Sequence, residues 1–147
     1  MKEELEKELF DKYPKIFRQK DLPMQVTAMC WGIDVGDGWY DLIDSMCHQI
    51  QHHIDWRTGS GVFDGRESEN LPDIQVETTQ VKEKFGGLRF YYVGGDDFVE
   101  GIVRLGEAMS YKICEICGNK GEVSKERWVT TRCKAHEGKR KWLIADG

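Results

Sequence analysis

The sequence has no apolar run that approaches the roughly 20 residues of a membrane-spanning helix. Its first segment, MKEELEKELFDKYPKIF, is charged and amphipathic and lacks the apolar stretch of a secretory signal. Internal repeats and low-complexity tracts are also absent, which argues against repeat architectures and disordered linkers. We therefore expect a cytoplasmic protein that has no membrane partner.

What the sequence does contain suits one folded domain. Of the 147 residues, 39% are hydrophobic, 32% are charged and 11% are aromatic, which is enough to build a core. The five cysteines are an odd number, and in a reducing compartment we expect thiols or metal ligands rather than disulfides. Cys30 and Cys47 are expected to be small buried apolar residues.

Charge is unevenly distributed along the chain. The net charge is −5, but the residues from Tyr111 onward carry a net charge of +4 and the first 110 carry −9. A basic C-terminal piece on an acidic body can mark a surface for nucleic acid or an acidic partner. The alternative is that the two parts attract each other.

The pattern of apolar residues predicts an α+β fold, in which a small antiparallel sheet is packed by two helices. A single domain spanning 1–147 would consist of an α+β body (1–112), a structural zinc module (113–137) and a basic, apolar tail (138–147). The predicted elements are a first helix ending before Pro14, helices at about 38–55 and 97–112, a hairpin at 74–93 and a loop at 57–70.

Local signals fix the ends of these elements. Asp37 is the expected N-cap of the 38–55 helix, and Asp96 or Asp97 that of the 97–112 helix. The Gly86–Gly87 pair is the expected hairpin turn, because it supplies positive φ angles. The inner stripe of the last helix is expected to be Phe98, Ile102, Leu105 and Met109.

The segment from Cys114 to His136 has the spacing of a metal site. Cys114 and Cys117 are three positions apart, and Cys133 and His136 repeat that spacing fifteen residues after Cys117. Two such knuckles can direct three thiolates and one imidazole at a single ion, a tetrahedral set that suits Zn²⁺. Gly118 is the residue that a knuckle turn favours, because the backbone there usually needs a left-handed conformation.

The same ligand set predicts a structural rather than a catalytic zinc. Four protein ligands close the coordination shell, whereas catalytic zinc keeps a position open for water. Zinc deaminases also use Cys and His ligands, but they need an H-x-E motif before a PCxxC motif, and neither occurs in this sequence. The sequence therefore predicts one zinc that holds the chain together.

Three histidines, His48, His52 and His53, lie on the predicted 38–55 helix. His48 and His52 are four residues apart and share a face, so they are candidate ligands of a metal-dependent hydrolase or nuclease. Gln49 stands where an HExxH enzyme has its Glu. Because two ligands alone rarely make a site, a polar, solvated helix face is the competing interpretation.

The hairpin and the tail carry the candidate binding residues. Arg89 and Tyr91 share one face of the second strand and could contact a nucleotide or stack on bases together with the 57–70 loop. Alternating aromatic residues on a strand are more often core. In the tail, Lys139, Arg140, Lys141 and Trp142 form a basic and apolar patch expected to bind a partner. Most of the five tryptophans are expected in the core.

Three stretches resemble a family of small, uncharacterised bacterial and phage proteins. They are GDGWYDLID at 36–44, QVKEKFGGLRFYY at 80–92 and ICEICGNKG at 113–121, followed by Trp128 and the CxxH. The resemblance covers roughly residues 30–136. It implies one domain ending in a zinc knuckle and a bacterial or phage-infected cell as the setting. It implies no established activity, so no catalytic residues carry over.

The leading hypothesis is therefore a non-enzymatic, zinc-stabilised protein that binds a macromolecular partner, either a host protein or a nucleic acid. If it is phage-encoded, it would act as an inhibitor or accessory factor. A nucleotide-sequestering protein that uses Arg89, Tyr91 and the 57–70 loop is the second hypothesis. A hydrolase or nuclease that uses His48, His52 or His53 is the third. Assembly into a homo-oligomer is left open.

Overall fold

The computed structural model describes residues 1–59, 62–63, 66–67, 72–124 and 127–138. Within these residues the chain is α+β, with a small mixed sheet and three helices, which confirms the predicted fold class. The helices are α1 Glu3–Lys12, α2 Tyr40–Gly59 and α3 Asp97–Ser110. The strands are β1 Ile33–Asp34, β2 Val62–Phe63, β3 Arg66–Glu67, β4 Glu77–Lys84, β5 Gly87–Val93, β6 Glu122–Ser124 and β7 Thr130–Arg132.

The main sheet has the strand order β1-β4-β5. It is a mixed sheet, whereas the sequence predicted an antiparallel one. β4 and β5 form the expected antiparallel hairpin, whereas β1 lies parallel to β4 with Ile33 opposite Val81. A parallel pair needs a long crossover, and the chain between β1 and β4 supplies one that contains α2. A strand of two residues is too short to show alternation, so the sequence pattern did not reveal it.

The hairpin turn lies one residue earlier than predicted. Lys84 pairs with Gly87, so the loop consists of Phe85 (φ 53°) and Gly86 (φ 82°), the two positive φ angles of a type I′ turn. Gly87 has a different role, because a Cβ there would lie 2.3 Å from the ring of Tyr111.

The core lies between the sheet, α1 and α2. Trp39 is a fully buried member of this core, together with side chains from the helices and the hairpin. Its other members include Leu9, Phe17, Met29, Ile43, Ile50, Val81, Leu88 and Phe90. Cys47 is buried as predicted, whereas Cys30 is only partly buried. Burial raises the pKa of the Cys47 thiol far above its usual range.

The ends of α2 differ from the prediction. Asp37 does not cap the helix; it belongs to a 3₁₀ turn, Asp37–Trp39, and its carboxylate accepts a hydrogen bond from the Lys2 backbone N–H. The helix runs on to Gly59, and β2 and β3 then pair as a short hairpin inside the segment expected to be a loop. The rest of that segment lies outside the described residues.

The inner face of α3 is also not the predicted one. Asp96 caps the helix as expected, and its carboxylate accepts from the Val99 N–H. The buried residues are Val99, Val103, Gly106 and Ser110. Phe98, Leu105 and Met109 are exposed, and Ile102 is partly buried. Apolar side chains occur on both faces of this helix. A prediction based on hydrophobicity alone therefore assigned the larger apolar residues to the inner face, whereas smaller residues pack against α2.

Tryptophans are mostly exposed rather than buried. Trp39 lies in the core, but Trp31 is 70% exposed and Trp128 is 76% exposed, and Trp56 is also exposed. Trp142 lies outside the described residues. In the part of the chain that the structure covers, no helix combines the length and apolar character needed to cross a membrane.

Candidate metal centre

The four predicted ligands come together in one place. The sulfur atoms of Cys114, Cys117 and Cys133 and a ring nitrogen of His136 all lie within 4.8 Å of one another. Among the described residues this is the only group of three or more Cys, His, Asp or Glu side chains placed to hold a metal ion. The cluster can therefore hold a metal, as the spacing in the sequence predicts.

The distances between ligand atoms fit a tetrahedral zinc. Cys117 Sγ lies 3.6 Å from Cys133 Sγ, and Nδ1 of His136 lies 3.7 Å from Cys114 Sγ and 3.2 Å from Cys133 Sγ. Zinc–sulfur bonds of about 2.3 Å and zinc–nitrogen bonds of about 2.0 Å at tetrahedral angles place sulfurs about 3.8 Å apart, and sulfur and nitrogen about 3.5 Å apart. The four side chains are thus arranged so that one ion could bind between them.

Each knuckle has a simple local cause. After Cys117 the backbone turns at Gly118 (φ 81°), whose N–H donates to the Cys114 carbonyl at 2.9 Å. Glycine adopts the left-handed backbone conformation without the steric penalty of other residues, so the predicted role of Gly118 is confirmed. On the other side, a 3₁₀ turn, Lys134–His136, brings the imidazole back toward Cys133, and the β6–β7 hairpin joins the two knuckles.

The local backbone also favours a thiolate at Cys114. Burial alone would raise the pKa of this thiol, but hydrogen bonds from the backbone at Cys133, Cys117 and Ile116 lower it to about 6. Burial and the neighbouring sulfurs raise the pKa of Cys117 instead. Because metals bind thiolates, this backbone arrangement prepares the buried Cys114 sulfur to bind an ion.

The GDGW stretch forms the seat of the first knuckle. The Gly38 N–H donates to the Glu115 carbonyl at 2.8 Å, and the Gly36 N–H donates to the Glu115 carboxylate at 2.9 Å. A Cβ on Gly38 would lie 2.1 Å from the Cys114 carbonyl oxygen. Only glycine allows the two backbones to approach this closely, which explains the two glycines of the stretch.

The knuckle is also tied to the core and to the hairpin. The indole N–H of the buried Trp39 donates to the Ile113 carbonyl at 2.9 Å. The Glu115 N–H donates to the Thr131 carbonyl at 3.0 Å, and the Thr131 hydroxyl donates to the Gly86 carbonyl at 2.6 Å. The metal cluster therefore sits where the body, β7 and the tip of the β4–β5 hairpin meet, and it is not a separate appendage.

The histidine face of α2 has a different character. His48 and His52 are both exposed, and their rings stack with centroids 6.2 Å apart. No third Cys, His, Asp or Glu joins them in a ligand group among the described residues. The structure therefore places the two residues together, as the spacing predicts, on a solvated face.

His53 lies on the other side of the helix and is buried. Its Nε2 is 2.8 Å from the Asp96 carboxylate, and its ring stacks on Phe98 with centroids 4.2 Å apart. Arg57 also donates to Asp96, at 3.3 Å. Burial opposes ionisation of Asp96, but hydrogen bonds from His53 and the Val99 N–H, together with the Arg57 charge, lower its pKa. The group joins α2 to the start of α3.

Arg89 and Tyr91 point away from the core, as predicted. The Arg89 guanidinium donates to the Tyr111 hydroxyl at 3.1 Å and to the Leu88 carbonyl at 3.0 Å. The bond to Tyr111 raises the pKa of Arg89. Tyr91 is exposed, and the Lys82 Nζ lies 6.0 Å from its ring centroid. The other candidate residues, Lys139, Arg140, Lys141 and Trp142, lie outside the described residues.

Sequence reasoning missed Glu115, which is 2% exposed and links the knuckle to GDGW and β7. A charged residue between two ligand cysteines was the available signal, because such a side chain is rarely buried without a specific partner.

Comparison with known protein families found no match, and neither did comparisons with curated proteins and with solved structures.

Proposed function

We propose that this chain is a non-enzymatic binding protein, shaped by one structural Zn²⁺, that engages a macromolecular partner. The observation that carries this proposal is the position of the Cys₃His cluster at the junction of the body, β7 and the hairpin tip. Four protein ligands leave no coordination site for a substrate or an activated water. The ion would then stabilise a surface rather than perform chemistry.

The surface beside the metal has the composition of a contact region. Phe85 at the hairpin tip is 66% exposed, and Trp128, just before β7, is more exposed still. A Cβ on Gly86 would lie 3.3 Å from Val129 Cγ1, so the segments that carry the two aromatic side chains are in contact. Exposed aromatic residues grouped in this way mark interaction sites more often than isolated ones do.

The basic tail extends this proposal. Lys139, Arg140, Lys141 and Trp142 follow the second knuckle closely in the sequence and supply the cations and the apolar ring expected to contact the partner. The resemblance to small bacterial and phage proteins supports a cytoplasmic setting and, for a phage-encoded chain, a role as an inhibitor or accessory factor of the host.

A pair of exposed tryptophans provides the test. Affinity-tagged protein would be used to recover partners from cell extract, with the wild type compared with Trp128→Ala and with Trp31→Ala. Trp31 is a matched control because it is similarly exposed but precedes β1, whose Ile33 pairs with Val81 away from the hairpin tip. The proposal predicts a partner that Trp31→Ala retains and Trp128→Ala loses. Equal recovery by all three proteins would contradict it.

A hydrolase or nuclease remains the weaker alternative. His53 is engaged by Asp96, and His48 and His52 have no third ligand among the described residues. Nucleotide sequestration has more support, since Arg89 and Tyr91 lie on the outward face of the hairpin. A thermal-shift panel of nucleotides separates it from macromolecular binding, because a bound ligand raises the unfolding temperature by mass action.

A further inference from the structure

The tip of the β4–β5 hairpin departs from what its turn geometry favours. The first residue of a type I′ loop needs positive φ, and Asn, Asp or Gly normally occupies it. Phe85 adopts φ 53° there while leaving most of its side chain in solvent. A bulky residue at positive φ is a backbone outlier, and burial does not compensate for it here.

The outward face of the same hairpin carries a second local conflict. Lys82 lies directly opposite Arg89, and Lys84 follows on the same face. Like charges at opposed positions destabilise a strand pair. None of the three cations lies within 4.0 Å of a carboxylate oxygen of the described residues. Asp34 is the neighbour of Lys82 on β1, and the Glu107 charge on α3 acts on Arg89.

Aromatic side chains lie among these cations. The Lys84 Nζ is 5.6 Å from the centroid of the Phe85 ring, and Lys82 is placed similarly over Tyr91. Val129 and Thr131, which follow the exposed Arg127 and Trp128 in the chain, lie against the tip at Gly86. The hairpin and the segment that contacts its tip together carry three exposed aromatic side chains and four cations, on a body whose first 110 residues are otherwise strongly acidic.

From these observations we propose that this surface binds a short stretch of single-stranded nucleic acid. Phe85 and Trp128 stack on bases, while Lys82, Lys84 and Arg89 contact phosphates. The inference rests on the proposed function and specifies the class of partner. Aromatic rings on a sheet face with flanking cations accept unpaired bases, whose faces are hidden in a duplex. Two local conflicts at one place suit a site where binding outweighs the cost to the fold.

The direct test is fluorescence anisotropy at low salt, with a labelled mixed-sequence 12-nucleotide DNA, the matching RNA and a duplex of the same length. We expect binding of at least one single strand and weaker binding of the duplex. With three to four phosphate contacts, the slope of log affinity against log salt should be about −2 to −3.

Phe85→Asn is the informative variant, because it changes binding and stability in opposite directions. Asparagine tolerates positive φ, so the unfolding temperature should rise. The affinity for the single strand should fall by roughly 5- to 150-fold, the range for loss of one stacked base. Trp31→Ala, the control, should leave the affinity unchanged. A residue with a merely structural role would not produce higher stability with weaker binding.

Three results would overturn the inference: no binding of either single strand at low salt, equal binding of the duplex, or unchanged affinity in Phe85→Asn. If the single strands fail but Trp128→Ala still loses a protein recovered from extract, the nucleic-acid inference falls and the proposed function stands. If both experiments fail, both proposals fall.

Discussion

The Cys₃His cluster and the histidine face of α2 both carry ligand-type residues at regular spacing, yet only the first forms a metal site. The cluster brings ligand atoms from two separate knuckles within 4.8 Å of one another. His48 and His52 lie on one helix and place their rings side by side in solvent. The difference shows that spacing within one element provides neighbours, whereas a closed shell needs segments that converge from different parts of the chain.

The two regions also differ in what supports them. The first knuckle rests on Gly36, Gly38 and the Trp39 indole, and Glu115 ties it to β7. The histidine face has no comparable second layer of contacts among the described residues. Ligands that form a metal site are usually held by such partners, so the support is as informative as the ligands themselves.

Of the changes that distinguish the two regions, removal of the metal should lower the free energy of unfolding most. A chelator should lower the free energy of unfolding by about 4 kcal/mol or more, the stabilisation expected of a ligand at 1,000 times its Kd. Thermal unfolding with and without chelator measures it. The His48→Ala/His52→Ala protein should lose the same amount, and an unchanged unfolding temperature after zinc removal would contradict a structural role.

The seat of the knuckle should be the next most sensitive place. Gly38→Ala forces a Cβ against the Cys114 carbonyl and should cost about 1–3 kcal/mol, the usual range for overpacking. Urea unfolding gives the value. Gly101→Ala is the matched control, because nothing lies within 4 Å of its Cβ position on α3 and the change should stabilise by about 0.5–1 kcal/mol. Equal changes in stability for the two variants would contradict the claim that the close packing of GDGW supports the first knuckle.

The Asp96 group should make a smaller, pH-dependent contribution. Asp96→Ala removes the α3 N-cap and a partner of His53 and Arg57, so we expect a loss of about 1–2 kcal/mol at pH 7. The folded-state pKa of Asp96 lies below its unfolded value, so its stabilisation is present above the ordinary carboxyl pKa and disappears as pH falls through the folded-state pKa. The stabilities of the wild type and the variant should therefore converge in acid. A difference in stability that persists below the folded-state pKa of Asp96 would show that its ionised carboxylate is not the source of the stabilisation.

The smallest effect should come from the histidine face. His48→Ala/His52→Ala should change the free energy of unfolding by less than about 0.5 kcal/mol, as expected of exposed substitutions. Chemical denaturation of the double variant checks this value. A loss of several kcal/mol would mean that the two rings stabilise the fold in a way that their exposure hides.

Patterns with a local physical cause allowed correct predictions from the sequence. The i, i+3 ligand spacing within each knuckle, Gly118, the Asp96 cap and the turn between β4 and β5 each depend on residues a few positions apart. The sequence did not reveal features that depend on contacts between distant segments. These include parallel strand β1, the outward face of α3 and the burial of Glu115 against GDGW.

The turn at Phe85 lies between these cases. A Gly-Gly pair correctly indicated a hairpin, but the requirement for Gly87 beneath Tyr111 shifted the loop by one residue and placed Phe85 at positive φ. The local preference of glycine predicted the turn, but the contact of Gly87 with the Tyr111 ring, which is distant in sequence, goes with a loop that lies one residue earlier. The most unusual backbone position in the hairpin was therefore hidden from the sequence pattern.

Native mass spectrometry of protein purified without chelator tests the central claim most directly, with the wild type, Cys117→Ser/Cys133→Ser and His48→Ala/His52→Ala measured side by side. The account predicts one zinc per chain in the wild type and in the histidine variant, and loss of that zinc in the cysteine variant. A second metal that disappears with His48 and His52, or one zinc retained without Cys117 and Cys133, would contradict it.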